Sequence, residues 1–579
     1  MNVLSRRIDA ALGRIPCDGV IRNVSFLDVF SLTWRKADIA WVDGIIVHTL
    51  DPQKEGRIAA KREWDGTGKF LVPGWIDAHV HIESSLVVPD EFERQVALRG
   101  TTSAICDPHE FANVMGVPGI QYFLDSATHS AMDLRVMLSS CVPATHLETN
   151  GGGAIEVEQL RMLSTHPKAL GLAEMMNVPG VLHKDPKILE KVLEFTRRHR
   201  PVDGHSPLLR GRALAAYCAA GISSCHETSE LQEAQEKLTN GMKVWIREGS
   251  VAKDLSTLIP LLNEATSVGI GFCTDDRNPL DIHEEGHLDH LLRQGIAKGT
   301  SPEVIFRSAS WTVASHYGLH QLGAIAPGYR ADVVLLNDVR SVAIERVFLH
   351  GEEATERLDR MKEYGQDSSL PEIKNRLSVL KSALKSMKAT PPQAHELEGP
   401  SGLVHVIGVQ PGKILTTRSV EDCRAPGVAR LSVLERHGHG KPPANGYVRG
   451  FGERFGGAIA SSVGHDSHNL IVVGSSTTEM RLALSALISS GGGFVVVKGD
   501  SVLAKLDLPV GGIMTEKSSD HVRCRLQELR EASRAVGCSL HEPFLQLAFL
   551  SLPVIPSLKL TDLGLVDVDS FQLIPVRAS

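Results

Sequence analysis

His79 and His81 in LVPGWIDAHVHIESS stand two residues apart. On a β-strand that spacing sends both imidazoles to one side, where they can share a metal ion. The pair alone is weak evidence: 25 histidines in 579 residues give roughly one H-x-H by chance, and a second occurs at His437 and His439. Its company makes it stronger. Glu174 in LGLAEMM, His205 in VDGHSP, His226 in SSCHET and Asp275 in FCTDDR each close a short apolar run. Four imidazoles and two carboxylates exceed what one tetrahedral ion needs, so two divalent ions sharing a bridge are implied. Glu174 is the natural bridge. His79, His81 and Asp275 then fall to one ion and His205 and His226 to the other, with Glu174 and a water-derived hydroxide between them. Nitrogen and oxygen ligands without thiolate suit Mn(II), Fe(II) or Zn(II).

Neighbouring polar residues extend the set. DPHEFAN supplies His109 and Glu110, expected to touch substrate, the alternative being a loop anchored through its Asp-Pro turn. Asp276 should point away from Asp275 on an extended strand. Glu83, Ser84 and Ser85 read as caps of the following helix. HDSHN at 465–469 is expected to line an interface or cover the site, and HGHG at 437–440 to be a solvated turn.

The elements that must position these residues follow from periodicity. Eight short apolar runs alternate with helix-like segments: WIDAHVHI, TTSAICD, LRVMLSS, ALGLAEMM, PVDGHSP, GISSCHE, MKVWIRE and GIGFCTDD. Eight βα units make an α/β fold of the (β/α)8 TIM-barrel type, about 250 residues long. All the candidate ligands then stand at the C-terminal mouth, where barrel active sites are built. Short apolar runs punctuated by Asp-Gly turns before residue 70 recur in 323–355, so the barrel (71–322) is expected to be inserted in a small β-sandwich domain (1–70 and 323–355). A charged helical segment and an exposed linker (356–401) lead to a C-terminal α+β domain (402–579).

Composition excludes several classes. A formal net charge of -7 gives no electrostatic reason for a nucleic-acid partner. No run of about 18 apolar residues is present, so no membrane association is expected. The nine cysteines form no C-x-x-C pair, which argues against a zinc ribbon or disulfide framework and for a reducing, cytoplasmic setting.

HVHIESS, DPHEFANVMG, LAEMMNVPGV, GHSP, SCHETS and CTDDR together resemble the adenine deaminase family of the amidohydrolase superfamily. The resemblance continues through RHG, GFGERFGGAIASSVGHDSHN and ISSGGGFVVV, and so covers nearly the whole chain. It implies hydrolysis of the free base adenine to hypoxanthine and ammonia in purine salvage, with iron or manganese as the metals. A homodimer is expected. In that reaction Asp275 takes the proton of the attacking hydroxide and delivers it to the amine, while Glu174 or Glu110 protonates the ring nitrogen, which requires a raised carboxyl pKa. Cyclic-amide hydrolases of the dihydroorotase and hydantoinase type are the rival, but those bridge their metals with a carboxylated lysine, and LGLAEMM has none. A noncatalytic relative of the same fold should lack ligands. Cytidine-deaminase chemistry needs a P-C-x-x-C signature that is absent.

Overall fold

The structure is a computed structural model and describes residues 2–367 and 369–578. Strands Cys17–Asp28, Thr33–Val42 and Ile45–Leu50 form an antiparallel meander. Its second turn is Asp43-Gly44, with φ of 51° and 69°, the conformation a two-residue hairpin needs and the reason glycine stands there. After the barrel the chain returns at Val333–Asp338, which pairs antiparallel with Phe70–Pro73. Ala60–Asp65 and Phe70–Pro73 share one edge of Cys17–Asp28, so the eight-stranded sheet forks there and folds over. Trp41, Trp64 and Phe348 meet across the fold with ring centroids 5.0 to 5.5 Å apart. The sandwich is thus one continuous sheet, and it reaches past residue 70 because Leu71 and Val72 are buried within it.

The inserted part is a nearly closed barrel of eight parallel strands in chain order. They are Trp75–Val80, Thr101–Cys106, Asp133–Leu138, Ala169–Met175, Val202–Gly204, Ser224–Cys225, Lys243–Arg247 and Ile270–Cys273. Seven lie within the runs read from the sequence, and the third begins one residue ahead of its run, at Asp133. A bridge between Val80 and Asp275 joins the last strand to the first, the Asp275 N–H donating to the His79 carbonyl at 3.0 Å. Ile76, Ala78, Ile105, Met137, Ala173, Trp245 and Cys273 fill the interior and are plugged by Val313, Ala314, Tyr317, Leu319 and Leu322. The barrel is therefore a packed core whose free space lies at the strands' C-terminal ends.

Helices Ala354–Tyr364 and Pro371–Ala383 run back along the barrel, where Arg376 pairs with Asp90 at 2.7 Å and Asn375 donates to Asp125. The stretch expected to be an exposed linker is partly built in. A reciprocal Gln393/Glu396 cap sets the turn Ala394–Leu397, and Leu397 is buried in the same apolar cluster as helix Thr477–Ser489. The C-terminal domain holds a mixed eight-stranded sheet, Thr477–Ser489 and Ser519–Ala535 as its longer helices, and a three-stranded sheet ending at Gln572–Ile574. It seats on the barrel mouth, the Thr515 N–H donating to the Leu86 carbonyl at 3.0 Å. Among the described residues no helix is long and apolar enough to cross a membrane.

Candidate active site

The strand ends bring the six proposed ligands together. His81 lies one residue past the first strand, and its Nδ1–H donates to the Asp107 carbonyl at 2.9 Å. That bond fixes the tautomer and leaves Nε2 with a lone pair. This Nε2 is 3.1 Å from His79 Nε2, 3.1 Å from Asp275 Oδ1 and 3.3 Å from Glu174 Oε1. The other oxygen of Glu174 faces His205 Nδ1 at 2.6 Å and His226 Nε2 at 3.3 Å. One carboxylate therefore turns an oxygen to each of two histidine pairs. Burial raises the Glu174 carboxyl, but His226 and His205 outweigh it and hold it well below the ordinary range.

Arg247 is the one arginine or lysine lining the cavity among the described residues. It grips Asp275 Oδ2 at 3.0 Å, Asp254 at 3.2 Å and Glu227 through both of its terminal nitrogens. Asp275 is thus held on one side by Arg247 and presents its other oxygen to His79 and His81. Imidazole nitrogens and carboxylate oxygens crowd this closely around one point, and that donor set fits divalent metal.

The support is tertiary. Asp107 accepts from Ser139 at 2.8 Å and from His109 Nδ1 at 3.0 Å. Helix His109–Met115 has proline as its N-cap, which offers no side-chain acceptor; Glu83 supplies one, accepting from the Phe111 N–H at 3.0 Å. Glu83 caps this helix rather than the one that follows it in sequence, while Ser85 bonds the Ile82 carbonyl and Ser84 bonds Asp276. Asp276 does not point away: Asp275 adopts φ of 54°, a left-handed turn that aspartate tolerates, and both side chains line the cavity.

The C-terminal domain closes the mouth. His465, Asp466, Ile414, Phe549, Leu552, Val554 and Ile555 line the cleft together with the barrel residues. Glu110 is clasped between His465 and His468. Burial raises its carboxyl, yet these two histidines hold it well below the ordinary range. Burial lowers His465, but Glu110 outweighs that and pushes it up to about 9. Neither Glu174 nor Glu110 therefore has the raised pKa expected of a carboxylic acid, because imidazoles surround both. His109 joins the groups, its Nε2 3.3 Å from Glu110 and its Nδ1 3.4 Å from Glu174. HGHG is not wholly solvated: His437 is buried and donates from Nε2 to the Ser467 carbonyl at 2.9 Å, fixing the 465–469 loop.

The model described as Amidohydrolase family matches residues 70–354, and that described as Adenine deaminase C-terminal domain matches residues 413–572. The adenine deaminase of Sinorhizobium fredii (strain NBRC 101917 / NGR234) is 47% identical over 583 residues, 99% of each chain. That of Methylobacterium sp. (strain 4-46) is 48% identical over 584 residues, again 99% of each. The chain belongs to the adenine deaminase family.

Three residues in or beside this family member's cleft are not among the candidates drawn from the sequence. Asp107, Glu227 and Arg247 stand at or just past the ends of barrel strands. Strand-end position is the signal that marks them. His465 and Asp466 belong to HDSHN, which was expected to line an interface or cover the site, and they line the cleft.

Proposed function

We propose that this chain hydrolyses adenine to hypoxanthine and ammonia at a pair of divalent metal ions, Mn(II) or Fe(II), in purine salvage. The observation that carries the reading is the placing of the two Glu174 oxygens, one toward His81 and His79 and the other toward His205 and His226. His79, His81 and Asp275 would hold one ion and His205 and His226 the other, with Glu174 offering one oxygen to each group. When bound, such ions ionise water near neutral pH, a nucleophile strong enough for a poor amine leaving group.

The chain's own residues handle the protons. Burial raises the Asp275 carboxyl, but His81 and Arg247 outweigh it, so Asp275 is an ionised base placed to take the nucleophile's proton and pass it to the departing amine. Glu174, ringed by imidazoles, stays ionised and serves as the bridge. The ring-nitrogen proton comes from Glu110 acting with His465, a pair that shares one proton across the bond from His465 Nδ1 to Glu110. His109, beside Glu110, orients the base. The apolar residues of the C-terminal domain keep bulk water from the ring.

Ammonia release from adenine, adenosine and dihydroorotate by the manganese-loaded protein tests the assignment. Turnover of adenine well above the other two is expected, with two metal equivalents per chain. Activity confined to the cyclic amide, or a single equivalent at full activity, overturns it.

A further inference from the structure

The cleft holds six carboxylates, and five of them are already engaged. Glu174 faces the histidines, Glu110 is clasped by His465 and His468, and Glu227 and Asp275 are gripped by Arg247. Asp276 accepts from Ser84. Asp466 differs. It is 3% exposed and lines the cleft, its Oδ1 stands 3.7 Å from His109 Nε2, and its Oδ2 has no hydrogen-bond partner. The adjacent His465 Nε2, also buried in the lining, is a ring nitrogen without a partner.

These atoms sit on a fixed loop. The His468 N–H donates to Gly464, His437 to Ser467 and Asn469 to Thr149, at 2.7, 2.9 and 2.8 Å. Ser551 donates to the His465 carbonyl at 3.3 Å, and the His465 ring stacks on Phe549 with centroids 4.7 Å apart. A buried acceptor held this rigidly without a donor costs free energy until a ligand supplies one.

Adenine has two kinds of donor. Its exocyclic amine is the reacting group and belongs beside Asp275. Its imidazole-ring N–H remains, and it must meet an acceptor or be buried unpaired. We propose that Asp466, carried to the barrel mouth by the C-terminal domain, accepts the imidazole-ring N–H of the free purine base and so excludes purines substituted at N9. The inference rests on the adenine reading above. A substituent at N9 replaces that hydrogen and leaves the carboxylate oxygen buried without a partner. Sites built to pair a polar group reject analogues lacking it far more strongly than apolar pockets reject an extra methyl. His465 Nε2 lies beside Asp466 to meet a ring acceptor on the same edge of the base.

The test compares kcat/KM for adenine and 9-methyladenine in the manganese-loaded wild type, D466N and D466A, with metal content measured on each. Wild type should favour adenine by at least ~100-fold. D466A should lose most of that factor on adenine, change little on 9-methyladenine, and bring the ratio to within about threefold. D466N keeps the side-chain volume and one acceptor oxygen but removes the charge, so its ratio should fall less than that of D466A. A ratio unmoved in metal-loaded variants overturns the inference. So does a wild type that takes 9-methyladenine as readily as adenine, a result that needs no variant. A wild type releasing no ammonia from adenine defeats the proposed function itself, which keeps the two failures apart.

Discussion

Glu174→Gln removes one negative charge and almost no volume from the centre of the site. The carboxylate stands 2.6 Å from His205, 3.3 Å from His226 and from His81, and 3.4 Å from His109. An amide can offer one oxygen, so one histidine pair faces an N–H in place of an anionic donor. Deleting one partner of a buried ion pair costs about 3–5 kcal/mol. At about 1.4 kcal/mol per tenfold, this corresponds to roughly a hundredfold to several thousandfold in affinity for the ion whose bridge is lost. The expected variant folds, retains about one metal equivalent after gel filtration, and turns over adenine at least ~100-fold more slowly. Metal content by atomic emission and ammonia release at saturating adenine read both quantities on one preparation. Near-normal turnover with two ions bound refutes the bridge.

Two other perturbations probe the scaffold. Glu83→Ala removes the acceptor for the Phe111 N–H; loss of a cap of about 1 kcal/mol should lower the melting temperature by a few degrees and turnover by about tenfold as His109 and Glu110 loosen, while an unchanged turnover denies Glu83 that role. Lys559 is fully buried, donating to the Ile414 and Phe549 carbonyls at 3.0 and 2.9 Å, and burial pushes its ammonium down to about 7. Its folded pKa lies below its unfolded one, so the destabilisation is absent above about 10.5, grows as pH falls, and is complete below about 7. Wild-type stability should gain on the order of 4–5 kcal/mol from this group between those limits, and Lys559→Met should lack that rise in urea titrations; equal slopes refute it.

The barrel and the ligand histidines were legible because both depend on local spacing. Side chains two apart on a strand share a side, and a polar residue closing an apolar run marks a strand's C-terminal end. His79, His81, Glu174, His205, His226 and Asp275 are all of that kind, and their convergence follows once eight strands close. What local pattern could not supply is which distant surface meets that mouth. Glu110 and His465 are 355 residues apart and owe their contact to the docking of a separate domain. The Glu83 cap, the buried His437 and the turn of Asp276 toward the cleft have the same origin, since each follows from long-range packing or from a dihedral set where strands end. Periodicity decides which face of an element is buried; only the assembled core decides what that face is buried against.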